Sequence, residues 1–371
     1  MKFVHVSDVH LGAIPDIGKP WSKERSLNIK DTFEDVIKKV RAEEAELLLI
    51  SGDLFHDQPL IADLASVNDL FKTIPNTHVI VCAGSNDRIR KTSPVTSFRW
   101  ASNVHYVLND KPTCIPISDL NVDIYSFSYW SKEIDIPMID SIEIYNPQKI
   151  NILLAYAGTQ HHVPIDIEKL KQSRFSYCAL GSTNRYMTLI DDKAYFAGRL
   201  EPLDLHDTGA HGIITGEIDS VSGKLLNTRF DVMSNVSYVS LEINVSKTTK
   251  NDELVETIRN EIVKRGTQNI YKLKILGTYN PAAKFNLSSL QNSYRILLIE
   301  DNSDPGYDFA QLFREHSSDV IGSYIRYFLN GKKNELSYTE KKALFYGINA
   351  LLKTKTDYTS EWYENKQTKY W

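Results

Sequence analysis

Apolar positions along the first half of the chain fall into two alternating patterns. Short apolar-rich runs, KFVHVS (2–7), LLLIS (47–51) and HVIVCAG (78–84), read as strands, the middle one covered on both faces. Between them Phe33, Val36, Ile37 and Val40 recur at i, i+3, i+4 and i+7, and Leu64, Val67, Leu70 and Phe71 form a second stripe. Both spacings predict amphipathic helices. Strand–helix–strand–helix–strand in this order predicts a layered α/β fold. Further strands are expected at DIYSFS (123–128), INILLAYA (150–157), YCALG (177–181), AYFAG (194–198) and HGIITGEI (211–218). The last three are crowded, with turn signals between them, so the second sheet is expected to be mixed or antiparallel. Four layers, with helices outside and two sheets inside, fit this order.

The pattern changes near residues 231–236. YVSLEINV (238–245), YKLKILG (271–277) and YRILLIE (294–300) read as strands around one helix, which carries Leu254, Ile258 and Ile262 and stops at Gly266. From Tyr307 the chain turns helical, and in its last helix Leu344, Ile348 and Leu351 share a face. The expected divisions are therefore a main domain over 1–232, a small α+β domain over 236–302, a helical region over 305–355 and a tail over 356–371. That tail cannot bury a core alone and is expected to be mobile. A length of 371 residues exceeds one ordinary core and agrees with more than one unit.

Composition narrows the classes. With 42% hydrophobic and 24% charged residues, the chain reads as soluble and globular. Its formal net charge of -4 excludes a uniformly basic nucleic-acid binder, so any DNA contact must come from a local patch. Cys82, Cys114 and Cys178 lack CxxC spacing, which argues against a disulfide framework or a zinc site. No run of 18 apolar residues occurs, and the segment after Met1 lacks a signal-peptide pattern. A cytoplasmic location without membrane association is expected.

Two strand ends carry chemistry. SDVHLG offers Asp8 and His10, placed on one side of an extended segment by the period of two. GDLFHD offers Asp53, with His56 and Asp57 close by. Each alone has a bland reading, a turn-capping aspartate or a bonded core histidine. Together at successive strand ends they point to metal: a carboxylate can bridge two cations, and imidazole favours transition metals over magnesium. Two such ions about 3.5–4 Å apart clamp a phosphodiester.

FVHVSDVHLG, LLLISGDLFHDQPL, CAGSND, AGRLEPLDLHDTGAHG and IGSYIRYF, in this order, resemble the calcineurin-like metallophosphoesterases, and among them the SbcD-type DNA repair exonucleases. The resemblance implies a four-layer metallophosphoesterase sandwich, two mixed sheets flanked by helices, with a capping domain at 236–302. It also implies C-terminal helices that dock on an SbcC-type coiled-coil ATPase, a homodimer, and DNA as substrate. Asp8, His10 and Asp53 match family metal ligands, Asp53 in the bridging position, and His56 matches a supporting histidine.

Five positions depart from the family pattern. Where the family has Gly-Asn-His-Asp, this chain has Gly84, Ser85, Asn86 and Asp87, which replaces a ligand by Ser85 and the acid–base histidine by Asn86. Tyr156 stands at a ligand histidine. In CALGSTNRY (178–186) the two histidines of Gly-His-x-His become Ser182 and Asn184. The expectation is a catalytically impaired subunit, a pseudoenzyme. It would hold one weakly bound Mn²⁺ at Asp8, His10, Asp53 and the amide of Asn184, or no ion. The alternative is an active Mn²⁺-dependent phosphodiesterase or DNA exonuclease with a rearranged or single-metal site. His161, His162, His206 and His211 read as loop or supporting residues rather than replacement ligands. Arg88, Arg90 and Lys91, and Arg199 beside the pocket, are candidate phosphate or DNA contacts; a solvated loop reads equally well for the first three.

Overall fold

The computed structural model describes residues 1–329 and 336–353. The tail expected at 356–371 lies outside the described residues, as do 330–335 and 354–355 of the helical region. The chain divides into two compact units, Met1–Val239 with Gln268–Tyr271, and Ser240–Thr267 with Lys272 onward. The main unit thus runs past the expected boundary at 232.

In chain order the first unit contains β1 (Lys2–Val6), α1 (Ser22–Ala42), β2 (Leu47–Ser51), α2 (Ile61–Lys72), β3 (His78–Cys82), β4 (Val104–Tyr106), β5 (Thr113–Ile117), β6 (Val122–Ser126), β7 (Ile150–Tyr156), α3 (Ile167–Gln172), β8 (Tyr177–Gly181), β9 (Met187–Ile190), β10 (Ala194–Phe196), β11 (Gly212–Ile218) and β12 (Leu225–Val232). Two six-stranded sheets result, ordered β12-β11-β1-β2-β3-β4 and β5-β6-β7-β8-β10-β9. Both are mixed: β1 to β4 run parallel with β11 and β12 antiparallel at one edge. In the second sheet β6, β7, β8 and β10 are parallel between the antiparallel β5 and β9. HGIITGEI corrects one expectation. It pairs with β1 in the first sheet, not with its sequence neighbours in the second. Long-range pairing decided this, and short-range turn signals carry no information on it.

Strand alternation sorts the core. Val4, Val6, Leu48, Ile50, Val79 and Val81 face Phe33, Val36, Ile37, Leu64 and Phe71 of the helices. Their neighbours Phe3, Leu47, Leu49, Ile80 and Cys82 meet Ile124, Ile152, Leu154 and Ala179 of the second sheet. The outer face of that sheet, with Leu153, Ala155, Cys178 and Leu180, is covered by Ile139, Leu170 and Phe175. Helical cover there is thin, consisting of the six-residue α3 and a short turn at Met138–Ser141.

The second unit contains β13 (Tyr238–Val245) and β14 (Ile270–Tyr279) except for the first two residues of each, with α4 (Asn251–Arg265), α5 (Ser288–Ser293), β15 (Ile296–Asp301), β16 (Asp304–Pro305), α6 (Phe309–Glu315), α7 (Val320–Leu329) and α8 (Tyr338–Lys353). Its sheet has the order β13-β14-β15 with β16 beside β14. Ile321, Ile325, Leu344 and Ile348 form a small core onto which Phe309, Phe313, Tyr324 and Phe328 pack. Most aromatics of these helices therefore serve their own unit, while Val320, Tyr327 and Tyr346 stay exposed. No described helix is long and apolar enough to cross a membrane.

One buried ion pair ties α1 to the segment after β10. Arg25 Nη1 lies 3.2 Å from Glu201 Oε2, and both side chains are fully buried. Glu201 Oε1 also accepts from Thr32 Oγ1 at 2.7 Å and from the Asn235 amide at 3.0 Å. Removing one partner strands a buried charge. We therefore expect Glu201→Ala to lower the unfolding free energy by about 3–5 kcal/mol in denaturant titration; a loss below about 1 kcal/mol would show that the pair is dispensable.

Candidate metal centre

Beyond their last ladder pairs, the chains leaving β1 and β2 continue side by side. The amides of Asp8, His10 and Leu11 donate to the carbonyls of Gly52, Asp53 and Leu54 at 3.1, 3.0 and 2.9 Å. This register brings ligand atoms of Asp8, His10 and Asp53 within 4.8 Å of one another, all three residues buried. The same three residues have positive φ, 48°, 54° and 48°. Asp8 and His10 therefore do not converge by strand alternation, as the sequence led us to expect. Each occupies a left-handed turn that costs an L-residue about 1–2 kcal/mol. Strain of this kind concentrates at functional sites.

Electrostatics point the same way. Burial first, and the nearby Asp53 second, push the Asp8 carboxyl up from 3.8 to about 8. Asp53 is raised as well, chiefly by burial, against hydrogen bonds from Asn86 and Tyr156 that favour its charged form. His10 is held well below its usual value by burial, then by the charges of Arg199 and His56. Both of its ring nitrogens are buried without a hydrogen-bond partner. His5, also buried, makes the contrast: its nitrogens lie 3.0 Å from Tyr177 Oη and 2.9 Å from Ser51 Oγ. A neutral imidazole with unused nitrogens beside two carboxyls that repel each other is a donor set that one divalent cation would satisfy. The three residues fit one such ion.

The other half of the pocket is built differently. Asn86 grips Asp53 twice, its amide donating to Oδ1 at 2.9 Å and its Nδ2 to Oδ2 at 2.8 Å. A methyl group on Gly84 would come within 2.3 Å of Asp53 Oδ1, so only glycine lets this loop close on the carboxylate. Tyr156 is buried with its hydroxyl 3.3 Å from Ser85 Oγ. Its ring fills the space over Gly52, where a Cβ would stand 2.4 Å from Tyr156 Cδ2. Burial, then Asp8 and Asp53, raise its phenol far above the ordinary value. Ser182 turns its hydroxyl to the Ala157 carbonyl at 2.7 Å and donates only its amide, at 3.2 Å, to Asp8 Oδ2. Asn184 is exposed, and its Nδ2 donates to Asp207 Oδ1 at 2.8 Å. Neutral donors thus stand where a second ion would need ligands, and these residues do not fit a second ion.

His56 is exposed at the rim, its ring centroid 5.4 Å from that of His10. Arg199 pairs with the buried Asp207. His211 holds this segment by contacts to the carbonyls of Arg199 and Asp207 at 3.1 and 3.3 Å. Arg88 Nη1 donates to the Ser85 carbonyl at 3.1 Å, Arg90 lies 3.8 Å from Asp57, and Lys91 is exposed. His161 is exposed and pairs with Asp135, while His162 packs on the ring of Tyr156.

Two residues had no role assigned from sequence. Asp207 gathers Asn184, Arg199 and the Leu203 amide. Asp87 is buried, raised to about 8 by burial and by Asp53, and accepts from the amides of Gly84 and Phe55. Both lie inside quoted motifs, CAGSND and DLHDTGAHG, but their bonds are to backbone and to distant side chains.

Residues 1–184 match the calcineurin-like phosphoesterase family. This part of the chain is a calcineurin-like metallophosphoesterase domain. Over 195 residues the chain is 27% identical to the DNA double-strand break repair protein Mre11 of Methanocaldococcus jannaschii, covering 50% of this chain and 52% of that protein. The chain therefore spans about half the length of this curated relative. Among solved structures it is similar to TT1561 of Thermus thermophilus, with 11% identity, a TM-score of 0.37 and coverage of 62% of this chain and 98% of that one. A dimetal phosphatase from Danio rerio gives 11%, 0.35, 58% and 92% for the same quantities.

Two measurements check this centre. Without metal, the folded protein keeps the Asp8 proton between 3.8 and about 8, where the unfolded chain has lost it. Stability should therefore fall as pH rises through that window, and Asp8→Asn should flatten the fall in chelator-treated protein. An equal slope in both would refute the assignment. Calorimetric titration should find no more than one Mn²⁺ per chain, with affinity lowered beyond about 100-fold in Asp8→Ala, more than loss of an outer partner costs.

Proposed function

We propose that this protein is an SbcD-like, Mre11-related subunit whose two-metal phosphodiester hydrolysis is lost or severely impaired. It keeps one weak Mn²⁺ position at Asp8, His10 and Asp53. The observation that carries this reading is the double grip of Asn86 on Asp53. A bridging carboxylate must turn lone pairs toward both ions, and here both oxygens receive N–H groups. Tyr156 and Ser85 bond each other instead of presenting metal ligands. Arg199, although paired with Asp207, adds after burial to what holds His10 and His56 below their usual values, which disfavours another cation.

On this reading the subunit handles DNA rather than cutting it. It works in the cytoplasm as a homodimer, with an SbcC-type coiled-coil ATPase bound through the helices of 309–353. Val320, Tyr327 and Leu329 are among the exposed apolar groups of those helices that a partner would cover. A bound ion, where present, would supply charge stabilisation to a phosphate. The chain itself offers Arg199, half-buried at the pocket, to orient that group. A single-ion Mn²⁺ phosphodiesterase is the competing reading, favoured by the unpartnered nitrogens of His10.

With Mn²⁺ and a chromogenic phosphodiester, the wild-type protein should turn over no faster than Asp53→Ala. Turnover that disappears in that variant would instead establish the single-ion enzyme. The combined variant Ser85→Asn, Asn86→His, Tyr156→His, Ser182→His and Asn184→His should gain Mn²⁺-dependent turnover. Co-purification with a coiled-coil ATPase from the same genome, weakened by Tyr327→Asp, checks the partner; no co-elution at low salt counts against it.

A further inference from the structure

A second cavity, of about 400 Å³, lies at the other end of the sheets from the metal centre. The residues of the centre follow the C-terminal ends of β1, β2, β3, β7 and β8. This cavity is formed where β7, β8 and β10 begin and where β11 turns into β12. Along β7 alone Ile150 of the cavity and Tyr156 of the centre are six positions apart, about 20 Å of strand.

Its lining is cationic on a chain whose formal net charge is -4. Lys149, Arg174, Lys193 and Lys224 face one carboxylate, Asp192. Asp123 lies 2.7 Å from Lys149 and neutralises it. Lys193 points its ammonium at the carbonyls of Lys171 and Ser173, which orient the charge without cancelling it. Burial pulls Lys193 below the ordinary lysine value, as expected of a cation lacking a counter-ion. Among the described residues neither Arg174 nor Lys224 has an ion-pair partner, and both are exposed. Asp219, the acid of the adjoining turn, is turned toward the amides of Val221 and Ser222 and pairs with none of these cations. Ser176 adds a hydroxyl to the wall. Three cations without a direct ion-pair partner, outnumbering the one lining carboxylate Asp192, and a hydroxyl around one concave space form a receptor for an anion rich in oxygen acceptors.

We propose that this cavity binds phosphate groups through Arg174, Lys193 and Lys224, independently of the metal centre. The phosphate is either part of a nucleic-acid backbone or a free phosphate compound; the shared chemistry is the same, and the experiment separates the sources. The full-length protein in chelator is titrated with pyrophosphate by calorimetry and with labelled duplex DNA by anisotropy. The wild type is compared with Arg174→Gln/Lys224→Gln and with Asp53→Ala. Both substituted cations are exposed, and thermal melting checks that the fold is intact.

Pyrophosphate affinity should fall about 100-fold in the double variant, roughly tenfold for each charge-assisted contact, and should be unchanged in Asp53→Ala. A parallel fall for DNA, with a shallower salt dependence, assigns the site to the phosphodiester backbone. A fall for pyrophosphate alone assigns it to a free phosphate. The proposal is overturned if the wild type binds neither probe, if the double variant binds as the wild type does, or if the loss appears in Asp53→Ala instead.

Discussion

Burial of two carboxyls and an imidazole where two parallel strand ends run together is the constraint on which the rest of the site is built. Apolar strands on both faces force β1 and β2 into the centre of the sheet, and their chain continuations stay paired through residue 11. Three side chains with positive φ are thereby driven into one water-poor space. Such an arrangement costs strain and desolvation, and it is offset only when something answers the polar groups. Asp53 is answered by Asn86 and Tyr156, Asp8 in part by the Ser182 amide, and His10 by no hydrogen bond.

That inequality explains how the two halves of the pocket differ. Around Asp53, and in part around Asp8, hydrogen-bond donors stabilise the buried carboxylates. Asn86 is the clearest case: its two N–H groups occupy one lone-pair site on each Asp53 oxygen, which leaves fewer of the carboxylate's roughly four sites for ions. Asn184 is similarly committed to Asp207. Asp8 and His10 have no comparable substitute, so the demand for one cation persists on their side.

How much was legible in advance follows the range of each interaction. The β1, β2, β3, β7 and β8 segments were readable because a strand buried on both faces needs a continuous apolar run. Short edge strands such as Val104–Tyr106 and Met187–Ile190 escaped notice: three or four half-exposed residues carry no period. The sheet membership of β11 was also hidden, since its partner lies more than two hundred residues away. Asp8, His10 and Asp53 stood out by residue type at successive strand ends. Asp87 and Asp207 did not, because a carboxylate that accepts backbone amides looks in sequence like any surface acid.

The sequence by itself determined the layered α/β class, the carboxylate and imidazole side chains at 8, 10 and 53, and the uncharged side chains at 85, 86, 156, 182 and 184. These are matters of local periodicity and side-chain chemistry, both of which are written residue by residue. Tertiary structure alone decided that Asn86 would close on Asp53, that Asn184 would turn to Asp207, and that four cations would gather at the far end of the second sheet. Hydrogen bonds and charges act through space over a few ångströms, and only the folded chain sets which distant residues come that close.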